Sequence, residues 1–347
     1  MDKAVENTTT RLVWLDQLKA ISMYFVVLGH SLLKFKEGKL FRFIYSFHMP
    51  LFFMISGLTF RPDKYTTIMD CVKDKIIKLA HPYIMLNILS LPFWYINMKT
   101  HMIQPDSLIE VLFGVFYSNS AVVRAPSNAT WFLMTLLFAE VIYYMIHYYL
   151  KDDKSVFLMS CILGVIGVMA PLGKEFLDAP FHFDVSLVAQ FYYGCGYLIR
   201  KYFTNFMNAF KEHYRFKIFL LFCVGTFSAF INKQVDMSNE LYRNITYMLI
   251  SSFTLSFILI FLAKKFNFHS KLLSYIGQNT IIILALHIPM LRILQAAFPI
   301  FLTSQFYAVL ASIIIYFIMV IFIWFINRYL YFIVKMPKRF QNIIHRF

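Results

Sequence analysis

Apolar runs close to the ~20 residues that cross a bilayer as a helix recur from one end of this chain to the other. They fall at roughly 12–33, 41–60, 80–98, 130–150, 155–172, 185–199, 216–232, 243–263, 276–298 and 304–334. In lipid, a backbone segment must satisfy its own N–H and C=O groups, so runs of this length are expected to be helices. The 347 residues are 59% hydrophobic and only 15% charged, with a mean hydropathy of +0.62, more apolar than a soluble domain of this length. The expectation is all-α: a polytopic transmembrane helical bundle of about ten spans, one domain over residues 1–347.

The net charge of +15 does not point to nucleic acid, because the basic residues sit in short segments between the runs. They report topology instead. With ten spans and the N-terminus inside, twenty Lys and Arg fall on the inner side and ten on the outer, which favours both termini in the cytoplasm. The first residues are polar through Thr10 and lack a signal-cleavage pattern, so the first run is expected to stay as an anchor. Trp14 is then placed at the inner interface, where aromatic anchors collect. Four cysteines occur singly, with no CxxC and no metal-ligand spacing, so they read as packing residues and no metal site is expected.

Within the first run, LKAISMYFVVLGH carries Lys19 and His30 on one face, almost three turns and about 16 Å apart along the axis. Asp16 precedes Lys19 by three residues and can share that face. Ionisable residues inside a span are costly and mark a functional site by default. The second run returns from Arg42 and brings His48 and Pro50 to the same outer half, so His30 and His48 are expected to be neighbours.

Elsewhere the signals are plainer. The segment 61–81 is the most basic on the inner side, with Lys75 and Lys78 at i and i+3 before His81-Pro82. It reads either as a topology signal or as a docking surface for a phosphorylated cytosolic donor. The outer segment 99–129 contains SLIEVLFGVFY, too short to cross and suited to the interface, and then Arg124-Ala-Pro-Ser-Asn leading to Trp131. A loop that long on a compact bundle is usually functional, here as a roof over an outward-facing site. Glu140 reads as an acid bonded to a neighbouring helix, Asp178, His182 and Asp184 as a solvated turn, and His287, taken alone, as a structural histidine.

Taken together, Asp16-x-x-Lys19, ten further residues and His30, then FHMPLFFMISG at 47–57, the basic run before Pro82, TWFL at 130–133 and IGQNTIIILALHIPM at 276–290 resemble the acyltransferase-3 superfamily of integral membrane acyltransferases. The likeness is to its small sugar O-acetyltransferase branch, in the manner of fucose 4-O-acetylases. Lys19 stands where Arg is usual, and position 136 is Leu where many members carry Glu in W-x-L-x-x-E. The resemblance implies transfer of an acetyl or other short acyl group from acyl-CoA, as co-substrate with no permanently bound cofactor, to a carbohydrate hydroxyl. It implies His30 as general base, Lys19 balanced by Asp16 along a donor channel, and Arg61, Lys75 and Lys78 on the CoA phosphates. His48, Trp131 and His287 fall on the donor or acceptor side, whereas Phe52, Phe53, Ser56 and Gly57 shape helix contacts. The implied setting is a multi-pass protein of a bacterial cytoplasmic membrane, in contact with lipid, with apolar outer surface compatible with a homodimer. The alternatives are a secondary transporter or flippase of a small or glycan substrate, for which no inverted repeat stands out, and a non-catalytic scaffold, which has no need of an ionisable stripe.

Overall fold

The computed structural model describes residues 12–104, 106–118, 125–170 and 179–346. Its helices are α1 (Val13–Ser31), α2 (Lys39–Tyr45), α3 (His48–Thr59), α4 (Ile68–Lys75), α5 (His81–Lys99), α6 (Leu108–Tyr117), α7 (Trp131–Leu150), α8 (Asp153–Met169) and α9 (Phe183–Lys201). They continue with α10 (Phe203–Ala209), α11 (Tyr214–Ile231), α12 (Ile245–Phe266), α13 (Lys271–Gln278), α14 (Thr280–Ala297), α15 (Gln305–Tyr329), α16 (Tyr331–Val334) and α17 (Lys338–Arg346). Among the described residues there is no strand, and the bundle is all-α as expected.

Among the described residues, seven stretches of helix are long and apolar enough to cross a membrane: Lys39–Thr59, Ile68–Lys99, Asn128–Leu150, α11, α12, α14 and α15. Three long helices occupy the remaining expected positions but are shorter or more polar. Helix α1 carries Asp16, Gln17, Lys19 and His30, α8 has 17 residues, and α9 carries Asp184, Gln190, Arg200 and Lys201. Polar residues on membrane-length helices face the bundle interior rather than lipid, and Gln17 and Gln190 are indeed fully buried.

The expected boundaries need two corrections. The second run is broken at Ser46–Phe47, between α2 and α3. The third begins at Ile68 rather than 80, because Ile76–Ala80 forms a π-helical turn that joins α4 to α5 without a loop. Trp14 is covered by protein, 6% exposed and stacked on Phe203 at 5.8 Å, under α10.

Helix α1 runs through the centre, against α3, α12, α13, α14 and α15. Glycines set two close crossings. A Cβ on Gly57 would lie 2.1 Å from the Tyr193 carbonyl, and one on Gly196 2.1 Å from that of Met54, so α3 and α9 meet backbone to backbone. A Cβ on Gly277 would lie 1.8 Å from the Asp16 carbonyl, which fixes α13 against the start of α1. Helix α6 is capped reciprocally by Ser107 and Glu110. It leaves Ile109, Phe113 and Phe116 exposed, the pattern of a helix lying in a membrane surface.

Candidate active site

The end of the bundle where α1 finishes gathers three histidines from three helices. The His30 ring lies 5.0 Å from that of His287 on α14 and 6.4 Å from Tyr45, which lies 4.8 Å from His48. Thus His30 and His48 are near neighbours, with Tyr45 between them. Gly29 permits this, since a Cβ there would already be 3.1 Å from the Tyr45 ring. His287, which reads as structural in isolation, joins His30 directly.

Two of the histidines have their tautomers set by backbone. Nδ1–H of His48 donates to the Ile44 carbonyl at 2.9 Å, and Nδ1–H of His287 to the Ile283 carbonyl at 2.8 Å. A carbonyl only accepts, so in each neutral ring Nε2 is left with the lone pair. Nε2 of His287 and Nδ1 of half-buried His30 make no hydrogen bond among the described residues. The charges of Arg292 on His30, and of Asp236 on Tyr45 and His48, complete the electrostatics of this end. Neither Tyr45, Arg292 nor Asp236 has a spacing in the sequence that ties it to His30.

Pro289 helps to place the group. It lacks the N–H that would bond the carbonyl four residues back, Ala285. The Ser127 hydroxyl takes that carbonyl at 2.5 Å. The Ser127 N–H donates to Asn87 Oδ1, while Asn87 Nδ2 donates to Tyr83 O and the Thr130 hydroxyl. The turn leading into Trp131 is therefore pinned to α5 and to α14 beside His287. Trp131 itself is 7% exposed and lies 5.0 Å from the His182 ring. Arg124 and Asp178 lie outside the described residues. His182 and Asp184 are 0% and 4% exposed, so their segment is not the solvated turn expected.

At the opposite end of the bundle, three cavities that share lining residues extend into its interior. The mouth, about 780 Å³, carries Arg61, Lys64, Lys151, Arg200 and Lys201 against a single carboxylate, Asp63. A second, about 290 Å³, shares Phe60, Arg61 and Lys64 with it and holds Lys75, Lys78 and Glu140. The third, about 250 Å³, shares Thr59 and Glu140 with the second and runs past Lys19, Phe52 and Ser56 to Leu284, less than one turn from His287. Phe52 and Ser56 thus line the path, while Phe53 and Gly57 make the helix contacts expected of all four. Asp16 accepts from Gln278 Nε2 at 3.4 Å beside it.

The basic segment differs from the simple i, i+3 pair expected. The π turn changes the register after Lys75. Lys75 reaches α7 and pairs with Glu140 at 2.5 Å, while Lys78 turns back to Asp74 at 2.8 Å. Asp74 also binds Lys64 at 2.6 Å. Burial holds the Lys64 ammonium below its ordinary pKa, against the pull of Asp74. The Tyr65 phenol, buried and bonded to Asp74, is pushed well up. Lys201 is paired with Asp153 at 2.5 Å, so the cationic surface at the mouth centres on Arg61, Lys151 and Arg200, the last two of which the sequence marks only as inner-side charges.

Polar side chains threaded through helices of membrane length define a protein built to work within a bilayer. The acyltransferase domain family model matches residues 12–328. The chain belongs to the acyltransferase-3 superfamily and is a membrane acyltransferase. Comparison with curated proteins and with solved structures gives no match.

Proposed function

We propose that the protein is an O-acyltransferase that moves an acetyl group from cytosolic acetyl-CoA to a hydroxyl of a cell-surface or lipid-linked carbohydrate. Its setting in this reading is a bacterial cytoplasmic membrane, multi-pass, with both termini in the cytoplasm. The observation that carries it is the series of cavities, each sharing lining residues with the next, from a cationic mouth to Leu284, less than one turn from His287 on α14. Arg61, Lys151 and Arg200 suit the phosphates of CoA. The narrow, mainly apolar stretch past Lys19 suits pantetheine, bringing the thioester toward His30.

In this mechanism His30 removes the proton of the acceptor hydroxyl as its oxygen attacks the thioester carbonyl carbon. The C–S bond breaks, and the proton passes from His30 to the departing thiolate, giving CoA and the ester. His287, held by Ile283 with its Nε2 lone pair available, shares the proton while His30 carries it. His48 and Trp131 help to shape the acceptor side. The match to an acyltransferase family favours this reading over a transporter.

The test is acetyl-CoA turnover by the purified protein in nanodiscs with a mixed glycan acceptor. Wild type should consume acetyl-CoA, and a folded His30→Ala variant should lose about 10²–10⁴-fold in kcat. Absence of acetyl-CoA binding and turnover in wild type would remove the donor assignment; full activity in His30→Ala would remove the base.

A further inference from the structure

Apart from the histidine site and its donor path, the His30 end of the bundle holds a second cluster. His182, Asp184 and Glu240 each offer a ligand atom, and these atoms all lie within 4.8 Å of one another. They come from two segments remote in sequence: the turn Pro180–His182 with the first residues of α9, and the connection between α11 and α12 that carries Met237–Asn239.

Three observations say that this is more than two acids and a histidine in a loop. The first is burial. His182 is 0% and Asp184 4% exposed, so the charge of at least one carboxylate is largely removed from water. The second is Asp184 itself: Oδ1 accepts the Val185 N–H at 2.7 Å, but Oδ2, fully enclosed, makes no hydrogen bond among the described residues. A buried carboxylate oxygen is expensive to leave so and is normally paired or bound to a cation. The third is Tyr242. Its hydroxyl is also buried and makes no hydrogen bond among the described residues, within electrostatic reach of both Glu240 and Asp184.

We infer that His182, Asp184 and Glu240 bind one first-row divalent cation, Zn²⁺ or Mn²⁺. One imidazole with two carboxylates suits a borderline ion of this class. Three ligands leave a position for water, to which the Tyr242 hydroxyl can bond. Donor atoms around a tetrahedral ion with ligand distances near 2.1 Å stand about 3.4 Å apart. The three groups therefore need to close by at most about 1.4 Å, within the reach of side-chain rotation. The ion ties the start of α9 to the connection before α12. It does so beside Trp131, whose ring is 5.0 Å from His182, and in the same connection as Asp236. Its role is to hold the walls of this end of the bundle in register.

The experiment uses the full chain in nanodiscs, stripped with chelator and titrated with Co²⁺ as a visible-absorption probe, then with Zn²⁺ and Mn²⁺ in competition. Wild type should take up one equivalent with a saturable d–d band and gain thermal stability on adding Zn²⁺ or Mn²⁺, while Mg²⁺ leaves both unchanged. Asp184→Asn and Glu240→Gln should each weaken uptake by at least about 100-fold, more than loss of an outer hydrogen-bond partner costs. If Asp184→Asn does not fold, Glu240→Gln, at the less buried ligand, decides alone. No saturable uptake in wild type, or uptake unchanged in folded variants, overturns the site. So does stabilisation by these variants without any metal dependence, which would mean that the carboxylates share a proton instead.

Discussion

At the scale of single residues, the site depends on contacts between groups far apart in the chain. His30 and His48 are close enough in sequence for the short hairpin between α1 and α2 to bring them together, and that neighbourhood is legible without a structure. The partnership of His30 with His287 is not, because it depends on how α14 docks against α1. If His287 shares the proton, His287→Gln should lower kcat by about tenfold, a loss of ~1.4 kcal/mol, while the KM for acetyl-CoA stays near wild type. A purely structural histidine would instead lower thermal stability and leave kcat per folded molecule unchanged. The Lys75–Glu140 pair makes a second test. Both side chains are largely enclosed, 16% and 10% exposed, so Lys75→Met leaves Glu140 with an uncompensated charge. Breaking a fully buried pair costs about 3–5 kcal/mol, and partial exposure here puts the expected loss nearer ~2 kcal/mol. The double variant Lys75→Met/Glu140→Gln should recover most of the thermal stability. If it melts as low as the single variant, the pair is not what Lys75 supplies.

At the scale of elements, hydrophobic periodicity and run length reveal the helices but not their breaks. The π turn at Ile76–Ala80 has no distinctive composition, since Ile, Leu, Lys and Ala suit an α-helix equally well. Yet it decides where Lys75 and Lys78 point. The π turn therefore redirected a donor-binding expectation that rested on an i, i+3 face. Pro289 illustrates the opposite case: a breaker visible in the sequence whose consequence, a carbonyl released to Ser127, needs the neighbouring turn in place. Glycine behaves similarly. FHMPLFFMISG shows a small residue at 57, but only the crossing of α3 with α9 shows how little space it has. Two glycines of α9 give a sharp test. At Gly194 an added Cβ would meet its neighbours at 3.4 Å or more, an ordinary contact, whereas at Gly196 it would be 2.1 Å from the Met54 carbonyl. Gly194→Ala should therefore leave stability unchanged or raise it by up to about 1 kcal/mol through helix propensity. Gly196→Ala should lower it by about 1–3 kcal/mol through overpacking. Thermal melts in one detergent would check both, and equal effects of the two substitutions would contradict the crossing.

At the scale of the whole molecule, the two ends of the bundle differ in chemistry, and that difference needs a direction in the membrane. One end presents cations around a cavity wide enough for a nucleotide; the other gathers histidines, Asp236 and the two segments that meet at Asp184 and Glu240. In the proposed orientation, which the charge count favours, the cationic end faces the cytosol and its acetyl-CoA. A donor entering there would cross much of the bilayer within the bundle before meeting an acceptor on the other side. The protein would then modify an outer glycan without exporting CoA. Single cysteines in a background with Cys71, Cys161, Cys195 and Cys223 replaced can test this arrangement. Lys36→Cys, exposed in the turn between α1 and α2, should react with a membrane-impermeant maleimide only from outside intact cells. Lys151→Cys, exposed at the cationic mouth, should react only in inverted vesicles, and CoA should slow its labelling severalfold. Labelling of both positions from one side would overturn the span count between them. The reverse pattern would overturn the orientation. Labelling of Lys151→Cys from the cytosol with no protection by CoA would leave the topology standing and move the phosphate site away from Lys151.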